Sequence, residues 1–435
     1  MRNLFIKTRS VSNIMWKKVT IKQKNISIIN LMILILFSFA SLDLFQYGGK
    51  TFFFYIELIV LIYLVLIKDK GKIHLINDPL IILIFLEFYL SGILAQFGNM
   101  NEVYKKTALV MPTLVLPLLL LIGELVNLIH HNKKIIYFIV KGLKFACLIQ
   151  FIYIPIQYIC YHYSGIDINK LVFVDTLKFV QNGSFIRDWV WYPSGITAHS
   201  AIVAPLMVLG VVLFRNPYIK CLILIDSLIC GSSSAVIGVI LSSFFLCLSR
   251  LLDKHKITYK RIMSLIFFVF IILIILLFTD SLNVVLDKTE YIISRLFGSS
   301  NDSSTNAHIL YYYRYPLIFK NNTIVNNLFG YGYGCSGYIF SILDNRINIG
   351  NWSVESEVMD RLYSLGIIGF VLYYIFLLNI LIKGYRIDKR YTIVMLAIII
   401  QGFGYNLQWD YIFLIELIFY FCIKLKINFF NFIDL

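Results

Sequence analysis

The sequence predicts an all-α polytopic membrane protein, a single integral domain over 1–435 with about twelve transmembrane helices, and three observations carry that prediction. The 435 residues are 59% hydrophobic and only 14% charged, with mean hydropathy +0.79, more apolar surface than a soluble core buries. Apolar runs recur at lengths that cross about 30 Å of hydrocarbon. Basic residues crowd alternate connections between those runs, as the positive-inside rule requires of short loops.

The candidate spans lie near 27–46, 51–67, 79–97, 107–129, 134–160, 196–214, 217–230, 233–249, 262–279, 362–382, 391–406 and 409–427. The seventh is short and contains Asp226. A stretch with Lys17, Lys18, Lys22 and Lys24 precedes the first run and no A-x-A site follows it, which reads as an uncleaved signal anchor with both termini cytoplasmic. The net charge of +15 is then spent on topology: RLLDKHKITYKR (250–261) and KGYRIDKR (383–390) anchor to anionic lipid, and no nucleic-acid partner is expected. Lys141 and Lys144 fall within the fifth run and are expected to snorkel or to sit in an interfacial turn.

Hydrophobicity fails in two places expected outside the membrane, 161–195 and 280–361. Both are rich in Trp, Tyr and Arg, unlike a disordered linker. Within the second, GYGCSG (332–337) is a literal G-x-G-x-x-G with Glu357 following it, yet no βαβ pattern surrounds it, so a nucleotide site is not expected. Gly330, Gly332 and Gly334 instead suit tight turns and close backbone approach. Arginine is the preferred clamp for phosphate, which makes Arg187, Arg295, Arg314, Arg346 and Arg361 candidates beside the reading of plain solvated loop residues.

Asp188, His199, His308, Glu355 and Glu357 are the acid and base candidates. A structural account competes: Ser353 caps a helix whose first turn holds Glu355 and Glu357, and Glu357 pairs with Arg361 four residues on. Trp189, Trp191 and Trp352 suit stacking on sugar rings, whereas Trp409, beside a span, suits the interfacial belt. With no D-x-D and scattered histidines, no catalytic metal and no cofactor are expected. Of seven cysteines Cys335 alone falls in an exterior loop, so no disulfide framework is expected.

Three stretches carry a family resemblance: YPSGITAHSAIVAPLM (192–207), GSSSAVIGVIL (231–241), and Arg314 followed by NNLFGYGYG and SVESEVMDRLYSLGIIGFVLYY (353–374). Their order resembles the O-antigen ligase and polymerase superfamily, particularly Wzy-type polysaccharide polymerases, whose architecture is GT-C-like. The resemblance implies a metal-independent glycosyltransferase whose donor and acceptor are polyprenyl-pyrophosphate-linked oligosaccharides, with membrane lipid and a chain-length regulator as further partners. It implies catalytic roles for Arg314, Glu355, Glu357 and Arg187. Substrate contacts would come from Arg295, Arg361, His199, Tyr192, Trp189, Trp191, Trp352, Gly330, Gly332 and Gly334. The ligases' His-Asn is replaced by the Glu355–Glu357 region, which favours polymerase; the family's arginine before the first loop's glycine is here Tyr192, leaving Arg187 nearby. A flippase of lipid-linked oligosaccharide and a ligase on the same fold are the alternatives.

Overall fold

The computed structural model describes residues 28–47, 50–97, 102–181, 183–187, 190–252, 312, 315–316, 319–320, 322–337, 354, 356–405 and 410–433, with backbone alone at 187, 190, 250–252 and 410. The chain is a mostly helical membrane protein. The described helices are α1 (Ile28–Ser38), α2 (Phe52–Ile62), α3 (Pro79–Leu94), α4 (Glu102–His131), α5 (Lys134–Ser164), α6 (Ser200–Leu213), α7 (Pro217–Ile229), α8 (Ser233–Leu252), α9 (Ile324–Phe329), α10 (Glu357–Ile387), α11 (Lys389–Gly404) and α12 (Asp410–Lys424).

Local chemistry sets their starts. Asp78 accepts from Ile81 N at 3.1 Å with Pro79 in the first turn of α3, and Asn216 accepts from Tyr218 N at 2.9 Å ahead of Pro217. Both are the expected use of a side-chain acceptor and a proline that lacks only an orphan N–H.

Four described helices are long and apolar enough to cross a membrane: Pro79–Phe97, Glu102–His131, Lys134–Ser164 and Glu357–Ile387. Shorter apolar helices are Ile28–Ser38, Ser200–Leu213 and Ser233–Ser249. The twelve expected crossings are therefore not what the described helices supply by length, and the ninth, 262–279, lies outside the described residues. Bulky apolar side chains such as Leu66, Ile67, Leu86 and Ile382 stay exposed on the helices, as lipid-facing surfaces do. α5 runs unbroken through Lys141 and Lys144; Lys144 Nζ donates to Ile433 O at 2.6 Å.

The centre of the bundle is α6, every residue of which is buried. A helix apolar on all sides belongs inside, and α5, α7, α8 and α11 enclose it. Two short hairpins depart from the all-α expectation: β1 (Gln46–Tyr47) with β2 (Lys50–Thr51), and β3 (Phe185–Arg187) with β4 (Val190–Tyr192). The second falls in the 161–195 loop, where Phe185 pairs with Tyr192 across the two residues 188–189.

Candidate functional site

The N-termini of α6, α8 and α10 and the C-termini of α3, α5 and α11 gather at one end of the bundle, and this is where the three motif stretches meet. The loop 193–199, between β4 and α6, is buried up to Thr197 although it lacks regular structure, so its polar groups need partners. Helix α5 supplies them. Gln150 accepts from Ile196 N at 2.8 Å and donates to Ser41 O at 2.9 Å; Gln157 accepts from Gly195 N at 3.0 Å. Asn169 donates to Gly195 O at 2.9 Å, and Asp43 accepts from Ala198 N at 3.1 Å. At the end of this loop His199 caps α6, its Nδ1 accepting from Ala201 N at 3.1 Å.

Tyr192 packs on Gly231, the first residue of the second stretch, where a Cβ would collide with the tyrosine ring. Farther along, Gln401 of α11 donates to Ser234 O at 3.1 Å and fills the space beside Gly238. Four residues on, the Tyr405 ring stacks on His199 with centroids 4.9 Å apart, while Tyr405 O accepts from Glu357 N at 3.2 Å. Tyr405 thus joins the first stretch to the third.

The third stretch is built on a break. Gly366 has φ 63° and ψ −166°, a conformation that glycine alone adopts without strain. It divides α10 into a half-helix, 357–365, and a 367–387 run of about 31 Å at 1.5 Å per residue. The break frees carbonyls that the helix would have used, and the glycine turn takes them: Tyr331 N donates to Tyr363 O and Gly332 N to Ser364 O, each at 3.0 Å. Gly330 and Gly366 let the two backbones cross in contact, since a Cβ at either would strike main-chain atoms of the other segment. Gly332 lies against Ala108 and Gly334 against Met111 of α4.

Charge collects in the half-helix. Glu357 and Asp360 occupy its first turn, the electropositive end. Arg361 Nε donates to Glu357 Oε1 at 2.8 Å, as the spacing predicts. The arginine is not a solvated loop residue but only 2% exposed, with its guanidinium over the Tyr373 ring at 4.4 Å and the Tyr333 ring at 5.6 Å. Tyr373 OH in turn donates to Glu416 Oε2 at 3.1 Å. Arg361 Nη1 and Asp360 Oδ2 are buried with no hydrogen-bond partner among the described residues. Ser336 donates to Asp360 Oδ1 and accepts from Val354 N at 2.8 Å, so Ser336 links Val354 to Asp360. Burial and the Asp360 carboxylate push the Cys335 thiol up to about 12, making it an inert core thiol.

Other expected site residues are placed less centrally. Trp191 stacks on Tyr161 with centroids 3.9 Å apart and its Nε1 donates to Asp167 at 2.8 Å, so its ring and N–H are both engaged inside the protein. Arg187 is described by its backbone in β3. Arg295, Arg314, Glu355, Trp189 and Trp352, with Arg346, Asp188, His308 and Trp409, lie outside the described residues. The helix cap expected at Ser353 is Ser356, whose Oγ accepts from Met359 N at 3.5 Å. Tyr312 OH holds that hydroxyl at 2.8 Å, and the helix accordingly starts beyond Glu355.

No protein-family model matches this chain, and no curated protein does.

Sequence reasoning missed Asp360, Ser336, Tyr405 and Gln401. Asp360 had a legible signal, since it lies three residues after Glu357 on the same helical face. The other three act through contacts far apart in sequence.

Proposed function

We propose that the chain is a polysaccharide polymerase, with about twelve spans and a GT-C-like arrangement, acting on the outer face of the cytoplasmic membrane. The observation that carries the reading is the meeting of the three motif stretches around Tyr405, at the helix ends that the distribution of basic residues puts outside. In the reaction, the hydroxyl oxygen of an acceptor repeat unit attacks the anomeric carbon of the donor glycan. The bond from that carbon to the pyrophosphate oxygen breaks, polyprenyl pyrophosphate departs, and the hydroxyl proton passes to a carboxylate.

Arg314, with Arg187 or Arg295, offsets charge on the leaving pyrophosphate. Glu355 or Glu357 takes the proton. Asp360 and Ser336 act as positioning residues: through the Val354 N–H they fix the backbone next to Glu355. Arg361 holds Glu357 and contributes to the field at the site without needing to touch substrate.

One observation favours the flippase reading instead: Asp226 in α7 is fully buried, both carboxylate oxygens lacking a partner among the described residues, as at a transport site within the bilayer. A single cell experiment separates the readings. With the gene deleted, lipid-linked single repeats accumulate outside if the protein polymerises, stay inside if it flips them, and grow into long lipid-linked polymer if it is a ligase. Restoring the gene with Arg314→Ala should leave single repeats unpolymerised. Normal polymer length and yield from that variant, at normal protein level, would refute the leaving-group assignment.

A further inference from the structure

At the other end of the bundle, we infer that Asp69, His74 and Glu124 form a binding site for a first-row divalent cation, with Zn²⁺ the best fit. Asp69 and His74 come from the α2–α3 connection and Glu124 from α4, and one ligand atom from each lies within 4.8 Å of the others. His74 Nδ1 is 3.0 Å from Glu124 Oε2 and 3.5 Å from Asp69 Oδ2. An ion held tetrahedrally by bonds of about 2.0 to 2.2 Å needs ligand atoms about 3.4 Å apart, so the imidazole already stands near coordinating separation from each of the two carboxylates, leaving a fourth position for water.

The donor set is fixed from behind. Glu124 is fully buried, and its second oxygen accepts from His74 N at 2.8 Å, the kind of outer bond that orients a ligating carboxylate. Gly123 allows it: a Cβ there would collide with His74 O, so the connection lies directly on α4 only because this position is glycine. Lys68 Nζ, 3.0 Å from Asp69 Oδ2, is the resident competitor. Being partly exposed, it can release that oxygen to an ion and return to water. A nitrogen–oxygen set with one histidine selects zinc-like ions over magnesium, which prefers all-oxygen octahedral shells. The bound ion would staple the α2–α3 connection to α4. The connection also carries Lys70 and Lys72, which by charge belongs to the cytoplasmic side.

The test needs no glycan assay, so it stands or falls apart from the proposed function. Full-length protein in detergent is stripped with chelator, dialysed, and titrated with ZnCl₂ by calorimetry, with melting followed in parallel. The inference predicts one Zn²⁺ per chain at micromolar affinity or tighter and a saturating rise in Tm, with no rise at equal MgCl₂. His74→Gln and Glu124→Gln should weaken binding at least tenfold. If Glu124→Gln does not fold, Asp69→Asn, which leaves the buried carboxylate in place, should show the same weakening. His130→Gln and His131→Gln should bind as the wild type does. No stoichiometric Zn²⁺ in the wild type, or affinity unchanged in His74→Gln and Asp69→Asn, overturns the inference.

Discussion

The two ends of the bundle handle charge differently. At the end where α3 and α11 begin, ions are matched: Lys424 Nζ lies 2.7 Å from Asp78 Oδ2, and Arg390 grips Asp388 through Nε at 2.9 Å and Nη2 at 2.6 Å. Asn428 adds a third bond to Asp388 at 2.9 Å. At the end where α10 begins, three buried acids, Glu357, Asp360 and Glu416, stand against one buried cation among the described residues, Arg361, and Asp360 Oδ2 and Arg361 Nη1 have no hydrogen-bond partner there. A buried polar atom left without a hydrogen bond costs about 1 to 3 kcal/mol, which stability alone does not select. The difference separates an end where charged groups tie helices together from an end that leaves buried polar atoms without partners among the described residues.

The sharpest way to break this comparison is to remove Arg361. Arg361→Met should destabilise the protein by about 3 to 5 kcal/mol, because the carboxylates around it stay buried; melting in detergent reads the loss. An unchanged Tm would mean those acids are already neutral. Next in size is the backbone crossing. Gly366→Ala and Gly330→Ala should each cost at least about 1 to 3 kcal/mol from positive φ alone, and the double variant should cost less than the sum because one crossing is lost only once.

The matched end should yield smaller and pH-dependent effects. Burial tends to raise the pKa of Asp388, but the bonds from Arg390 and Asn428 outweigh it and hold the carboxyl below its ordinary range. A depressed carboxylate stabilises above its unfolded pKa and loses that contribution as pH falls through the folded value. Asp388→Asn should therefore cost about 1.5 to 3 kcal/mol at pH 7, and the gap from wild type should close below about pH 4. A gap independent of pH would contradict the pairing. Smallest is Lys424→Met: the lysine is half exposed and Asp78 keeps Ile81 N and Tyr420 OH, so the change should stay within about 1 kcal/mol.

Much of this was legible in the sequence. The long apolar runs gave α3, α4, α5 and the second part of α10, because bilayer thickness imposes length directly. The i,i+4 spacing gave Glu357–Arg361, a local relation. The glycines at 330 and 332 announced close approach without naming what approaches. Its partner, Gly366, reads in sequence as one more small residue in a span, and only the backbone shows a break. Asp69, His74 and Glu124 stand outside any metal-ligand spacing, since fifty residues separate the last two, so tertiary packing alone brings them together. Tyr405 was unreadable as a junction for the same reason: of the contacts that join the stretches, one is a ring face and the other a main-chain carbonyl, and neither leaves a pattern.

The proposed function requires the Tyr405 end to face outward. Ala198 is exposed beside His199, and the buried Cys147, Cys230, Cys335 and Cys422 should not react with a polar reagent. With Cys160, Cys221 and Cys247 replaced by serine, Ala198→Cys should be labelled by a membrane-impermeant maleimide added to intact cells. Labelling that appears only after the membrane is opened would contradict the account.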